Sequence, residues 1–324
     1  MNDSTVRHDY DDADAFLAAL LPTSEVWNPS TLRQFIFRGH ADASWALRPS
    51  ALRKAELTNG AQRLRELVAL QRFWKEADRQ GLTIPGDSLE TRELWINSTS
   101  PGLVGAEVLR MAGRTQLADK LAAWPPKELW QALAVAQHHR VQTRLFDWTR
   151  LPTVAAYFAA LGAAERLDRG ESSTTRLGVW GCHENILIVS GWLEPELQFL
   201  HLVTVPRGGN PNLHAQHGVF TLWMPAGTQR DPPDKDSVEA IPFDQAVQRV
   251  DAIWRQEGNI FSYLAGVTAP HLRLLTLPTK EAPRLLDLLD MLGLSGATMR
   301  PGFDGAAAAV NEYALRERLQ TGDS

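Results

Sequence analysis

"TRLFDWTRLPTVAAYFAA", residues 143–160, decides how the chain is read. Its side chains alternate, with Thr143, Leu145 and Asp147 on one face and Arg144, Phe146 and Trp148 on the other, and this pattern predicts a strand. Pro152 then suits the first turn of a helix, because its missing N–H and fixed φ are harmless there. The buried stripe of that helix is Val154, Phe158 and Leu161. Arginine, aspartate and threonine therefore gather where an apolar helix begins. One reading is structural: Asp147 and Thr149 satisfy free backbone N–H groups at the helix mouth, worth about 1 kcal/mol for a good cap. The other is functional. A helix N-terminus beside an arginine joins donors to positive charge and suits a phosphate. Arg144, on a largely apolar strand, needs a partner to offset its desolvation, and Asp147 is one candidate.

Working outward, "LRQFIFRGHADASWALRPSALR" (32–53) predicts a strand ending near a glycine, a loop, and a second short strand or turn. Residues 61–80 place Leu64, Leu67, Val68 and Phe73 on a helical stripe that Gly81 ends. Residues 130–139 repeat the helical spacing. Strands follow at 177–182, 196–205, 217–224 and 271–278, and "APRLLDLLDMLG" predicts a last helix closed by Gly293. Helices cluster early and strands late, which predicts an α+β fold rather than an alternating wound sheet.

The 324 residues carry a net charge of -5 and a pI near 6.0. No global positive field draws such a chain to anionic lipid, and no strong non-specific nucleic-acid binding is expected. The single cysteine, Cys182, excludes thiolate metal cages and an internal disulfide, so no metal is expected. His138 and His139 are adjacent and face different ways on a helix, which makes them poor co-ligands. No run approaches the roughly 20 apolar residues of a membrane span. The polar start MNDSTVRHDYDDADAF is no signal peptide, and a cytoplasmic protein is expected.

Four stretches occur in order: "FIFRGH" (35–40), "AQHHRVQTRLFDWTRLPTVAAYFAA" (136–160), "HAQHGVFTL" (214–222) and "TMRPGFDG" (298–305). Together they resemble the FRG domain family, named for a Phe-Arg-Gly motif, here Phe37, Arg38 and Gly39. The resemblance runs over about 30–310, with a helical insertion at about 55–130. It leaves 1–29 as a polar N-terminal segment and 311–324 as a C-terminal tail. The chain departs from the family pattern in places. A glycine and a proline are usual where it has Arg140 and Gln142, and leucine is usual at Phe146. An arginine is usual where it has Asn212, Leu213 and His214. The last motif usually reads closer to Phe-Pro-Asp than Arg300-Pro301-Gly302.

The order of motifs is also similar to that of the Arg-Ser-Glu class of ADP-ribosyltransferases. That similarity implies a mixed or antiparallel sheet of ADP-ribosyltransferase-like type and NAD as substrate. Arg38 resembles the first-strand arginine of that class, Thr143 or Thr149 its serine, and Gln216 falls where its catalytic glutamate would come. The implied ligand-holding residues are Arg38, Gly39, His40, Thr143, Arg144, Asp147 and Thr149; the implied catalytic set is Arg38, Gln216 and Glu257. Transfer of ADP-ribose needs clamped phosphates, which suits arginine's fork. It also needs a polar group near the anomeric carbon to stabilise an oxocarbenium-like transition state, and carboxylate does this better than amide. With Gln216 in that place, Glu257, Asp147 or another acid must supply the charge, or the protein binds without turnover. Sequence thus gives two expectations. One is an NAD-dependent transferase or glycohydrolase, of a bacterial toxin or phage-defence kind, with an unknown acceptor. The other is a non-catalytic module sensing a nucleotide or nucleic-acid end.

Overall fold

The structure is a computed structural model describing residues 5–27, 34–53, 59–97, 124–171, 174–193, 200–206, 210–223, 241–256 and 270–321. Its centre is a seven-stranded mixed sheet with strand order β1-β7-β4-β2-β3-β6-β5. The strands are β1 (Thr5–Asp9), β2 (Phe35–His40), β3 (Phe146–Thr149), β4 (Arg176–His183), β5 (Leu200–Val203), β6 (Gly218–Trp223) and β7 (Leu272–Pro278). Every pairing is antiparallel except β1 with β7. The α+β expectation holds.

Eleven α-helices lie among the described residues: α1 (Ala13–Leu20), α2 (Asn59–Arg79), α3 (Leu89–Thr91, continuing as a π turn), α4 (Trp130–His138), α5 (Pro152–Asp168), α6 (Asn185–Ser190), α7 (Pro211–Ala215), α8 (Phe243–Gln256), α9 (Ala282–Met291), α10 (Gly296–Met299) and α11 (Phe303–Thr321). Pro152 takes the first turn of α5 as its position implied. Gly81 and Gly293 follow α2 and α9 in the left-handed region, at φ 68° and 80°, where the absence of a Cβ removes the steric cost.

Alternation along the strands sorts the core. Phe35, Phe37, Leu177, Val179, Leu275 and Leu277 face one side, packed with α1, α5 and α9. Ile36, Phe146, Trp148, Trp180, Cys182, Leu272 and Leu274 face the other, against α6 and α8. Burying both faces of a sheet is the dominant favourable term, at roughly 25 cal/mol per Å² of apolar surface. A third core joins α2, α4 and the π turn to Val203, Phe220 and Leu222. Phe220 is registered opposite Asp147, and Thr149 is registered opposite Phe37. The first and third cores therefore cover the same sheet face, side by side. The seam between them runs over β2 and β3.

Both chain ends take part in the fold. The polar segment 1–29 supplies β1 and α1, whose Ala13, Phe16 and Leu20 are fully buried. At the other end α11 runs past residue 310 to Thr321. Its anchors are polar: the Tyr157 hydroxyl donates to Glu312, and Arg316 pairs with Asp287 and Asp290 at 3.1 and 3.0 Å. Its apolar residues are mostly alanine and form no clear 3.6-residue stripe, so hydrophobic periodicity could not find it.

Candidate functional site

The seam between the two helical layers opens into a cavity of about 1070 Å³. Its floor is the shared sheet face: Phe37 and Gly39 from β2, Asp147 and Thr149 from β3, Gly218 and Phe220 from β6. α4 with its following loop, α5, α7 and the loop before α11 make the walls. All four motifs of the sequence, spread over more than half the chain, meet here: Arg38, Asp147, Gln216 and Arg300 each line the cavity.

Gly39 has a packing reason. A Cβ at this position would lie 1.9 Å from the Ala155 carbonyl oxygen and 2.8 Å from the Ala159 nitrogen. Only glycine lets α5 press onto β2, and α5 brings Ala155 and Phe158 to the cavity wall.

β2 and β3 are registered through one pair, Phe37 with Thr149, and the Arg38 guanidinium sits where the strands part. Its Nη1 donates to the Asp147 carbonyl at 2.7 Å and pairs with the Asp147 carboxylate at 2.8 Å. Its Nε donates to His40 Nε2 at 3.1 Å, and its plane lies 4.0 Å over the Phe146 ring. This last contact is a cation–π geometry worth about 1–2 kcal/mol when desolvated. Asp147 opens its carboxylate to the cavity. Enclosure by the protein pushes its pKa up, but the Arg38 charge and hydrogen bond outweigh this and hold it below the ordinary carboxylate value. The Gln137 amide also donates to the same carboxylate oxygen, at 3.1 Å.

His40 is buried, and accepting from Arg38 fixes it as neutral imidazole with its proton on Nδ1. Burial first, then the Arg38 and Arg53 charges, lower its pKa from 6.5 to about 3. A depressed histidine contributes stability that is complete above the unfolded value near 6.5 and lost as pH falls toward 3. Replacing His40 with glutamine, which can still accept from Arg38, should flatten the fall of stability between pH 6.5 and 4 by up to about 1.4 kcal/mol per pH unit. Denaturant titrations at stepped pH measure this. An unchanged slope would mean that His40 charges freely in the native state.

The other expected residues divide. Thr149 is at the cavity, but its hydroxyl donates to the Gln216 carbonyl at 2.7 Å and accepts from the Leu151 N–H at 3.1 Å. What remains to a ligand is one acceptor lone pair. Gln216 also lines the cavity, and its amide nitrogen donates to the Met299 carbonyl at 3.0 Å. It ties the third motif to the fourth. Thr143 lies beneath the site and donates to Gln137 at 2.7 Å, so it reaches Asp147 through that amide. Arg144 is elsewhere. It is fully buried and pairs with Glu66 of α2, Nε to Oε2 at 2.8 Å and Nη2 to Oε1 at 3.0 Å. Trp124 and Gln62 also donate to that carboxylate. A phosphate-clamping Arg144 does not fit this placement, because its charge is already neutralised away from the cavity. Glu257 lies outside the described residues.

Sequence reasoning did not single out Arg53, Arg140 or Arg300 as ligand-holding residues, yet all three line the cavity. Arg140 carried a signal in the departure from glycine at its position. Among the described residues no group of three or more histidine, cysteine, aspartate and glutamate side chains could hold a metal ion. No described helix is long and apolar enough to cross a membrane.

The family model of the FRG domain matches residues 106–167, a span holding the second motif whole, with α4, β3 and nearly all of α5. Over that span the chain is similar to the FRG domain, which supports the resemblance carried by the second motif. No curated protein and no solved structure matches it.

Proposed function

We propose that the cavity binds NAD or a closely related nucleotide and that its chemistry is ADP-ribosyltransferase-like, with Asp147 as the acid that acts on the ribosyl bond. The convergence of the four motifs on one cleft, with an ionised carboxylate at its floor, carries this reading. The bond broken is that between C1′ of the ribose and the nicotinamide nitrogen. The bonding pair leaves with the ring, whose positive charge it neutralises, so departure needs no proton. Positive charge then develops on C1′ and the ring oxygen, where a fixed carboxylate stabilises it. Water or an acceptor oxygen attacks C1′ and releases its proton to solvent. Arg38 contributes by keeping Asp147 ionised and aimed.

Nicotinamide release from NAD by purified protein tests this. Asp147→Asn should lower the rate by about 100-fold or more, the usual effect of removing one preorganised electrostatic group. Full activity in that variant, with loss in Glu257→Gln, would transfer the role to Glu257 and sink the assignment to Asp147.

One observation favours a second reading, a nucleotide-sensing module without turnover. No glutamate lines the cavity among the described residues, and Gln216 is engaged as a tether. Tight binding of NAD with no nicotinamide release would select it.

A further inference from the structure

We propose that Arg53, Arg140 and Arg300 form the phosphate-recognising wall of the cleft, and that Arg38, the arginine of the Phe-Arg-Gly motif, serves the protein rather than the ligand. This rests on the nucleotide reading above for the class of ligand and adds which guanidinium groups meet it.

Arg38 has its Nε on His40, its Nη1 on Asp147 twice over, and its face on Phe146. Its charge is cancelled by Asp147. Arg53 is less engaged. Among the described residues its one hydrogen bond is a long 3.4 Å contact with the Arg48 carbonyl, it makes no ion pair within 4 Å, and the Asp147 carboxylate attracts it only at longer range. Partial burial, followed by the nearby Arg38 charge, pulls its pKa below the usual arginine value. An incoming anion would relieve both effects.

Arg140 carries the most specific observation. α4 ends with the Arg140 N–H bonded to the Gln137 carbonyl at 2.9 Å and the Val141 N–H to the Ala136 carbonyl at 2.9 Å. This is the double bond pattern of a Schellman motif, in which the residue after the cap is left-handed and is most often glycine. Arg140 occupies that position at φ 68°, where its Cβ is a steric liability. Arg140 nevertheless lines the cavity and has no ion-pair partner among the described residues. A strained position that a smaller residue would satisfy better points to a role for the side chain.

Arg300 faces the cavity from the loop before α11. A Cβ at Gly305 would lie 1.7 Å from the Arg300 carbonyl oxygen, so the close turn of the chain there sets where Arg300 stands. With the Arg38–Asp147 pair neutral, three arginines face a single aspartate, Asp304, among the described lining residues. That excess suits the two charges of a pyrophosphate, which arginine's planar fork binds in bidentate fashion.

Calorimetric titration of the full chain and of Arg140→Gly, Arg53→Gln and Arg38→Ala with inorganic pyrophosphate, ADP-ribose, NAD and adenosine tests the proposal, alongside thermal unfolding. Arg140→Gly should raise the Tm by about 2 °C through relief of strain, yet weaken pyrophosphate and ADP-ribose at least tenfold and leave adenosine unchanged. Opposed shifts in stability and affinity separate a ligand role from misfolding. Arg53→Gln should weaken the same two ligands by a similar factor. The proposal is overturned if both variants bind pyrophosphate within twofold of the unchanged protein, or if the unchanged protein binds neither phosphate ligand. Arginine-dependent binding of pyrophosphate and ADP-ribose without binding of NAD would uphold the phosphate wall and remove the NAD reading.

Discussion

Arg144→Ala is expected to destabilise the protein by about 3–5 kcal/mol, the usual result of removing one member of a buried ion pair. The Glu66 carboxylate would be left in the core with only the Trp124 indole N–H and the Gln62 amide among its described partners, and neither supplies the missing charge. In denaturant the midpoint should fall with an unchanged m-value, since the surface exposed on unfolding is nearly the same. The double variant Arg144→Met with Glu66→Met should recover much of the loss, because apolar side chains of similar volume replace such pairs at little or no cost. A single-variant loss below about 1 kcal/mol would show that water reaches this pair and that α2 is less firmly docked than described.

Gly39→Ala should be the next most damaging change, for a different reason. The added methyl meets the carbonyl oxygen, carbonyl carbon and nitrogen of two α5 residues, all backbone atoms. No rotamer change relieves this, so the helix must move off the sheet by an ångström or more. Overpacking typically costs about 1–3 kcal/mol, and a backbone clash belongs at the upper end. The Tm should drop by about 5 °C or more. On the function proposed above, nicotinamide release should fall even at temperatures where the variant stays folded, because α5 forms one wall of the cavity. A variant with unaltered Tm would contradict the close approach of α5 to β2.

These two residues also mark what could be read from the sequence. The strand, the proline-led helix and the phenylalanine alternation of β2 were legible, because their signals are local: period, turn chemistry and a fixed φ. Arg144's need for a partner was legible too, but the partner was not. Glu66 lies 78 residues earlier, on a helix read mainly for its apolar stripe, and long-range pairing leaves no periodic trace in one sequence. β1 escaped for another reason. It is an edge strand with alternating charged residues and a Val6 that is 37% exposed, so it resembles a solvated segment until β7 is beside it. In the cavity, Arg38 and Asp147 were named from their motifs. Arg53 stood out only once α4, α5 and the last loop were seen to enclose one space.

The pairing of β1 with β7 has a consequence for how the protein is made. The Asp9 carboxylate accepts from the Thr276 hydroxyl, 267 residues further along the chain. At about 5–20 residues per second of ribosomal synthesis, β1 waits roughly 13–50 s for the strand it pairs with among the described residues to emerge. Throughout that interval α1, with Phe16 and Leu20, lacks β7 and α9, two of the elements it packs against. A chaperone that holds exposed apolar helices should therefore associate with ribosome-bound chains arrested before residue 272 and release those arrested after β7 has cleared the exit tunnel.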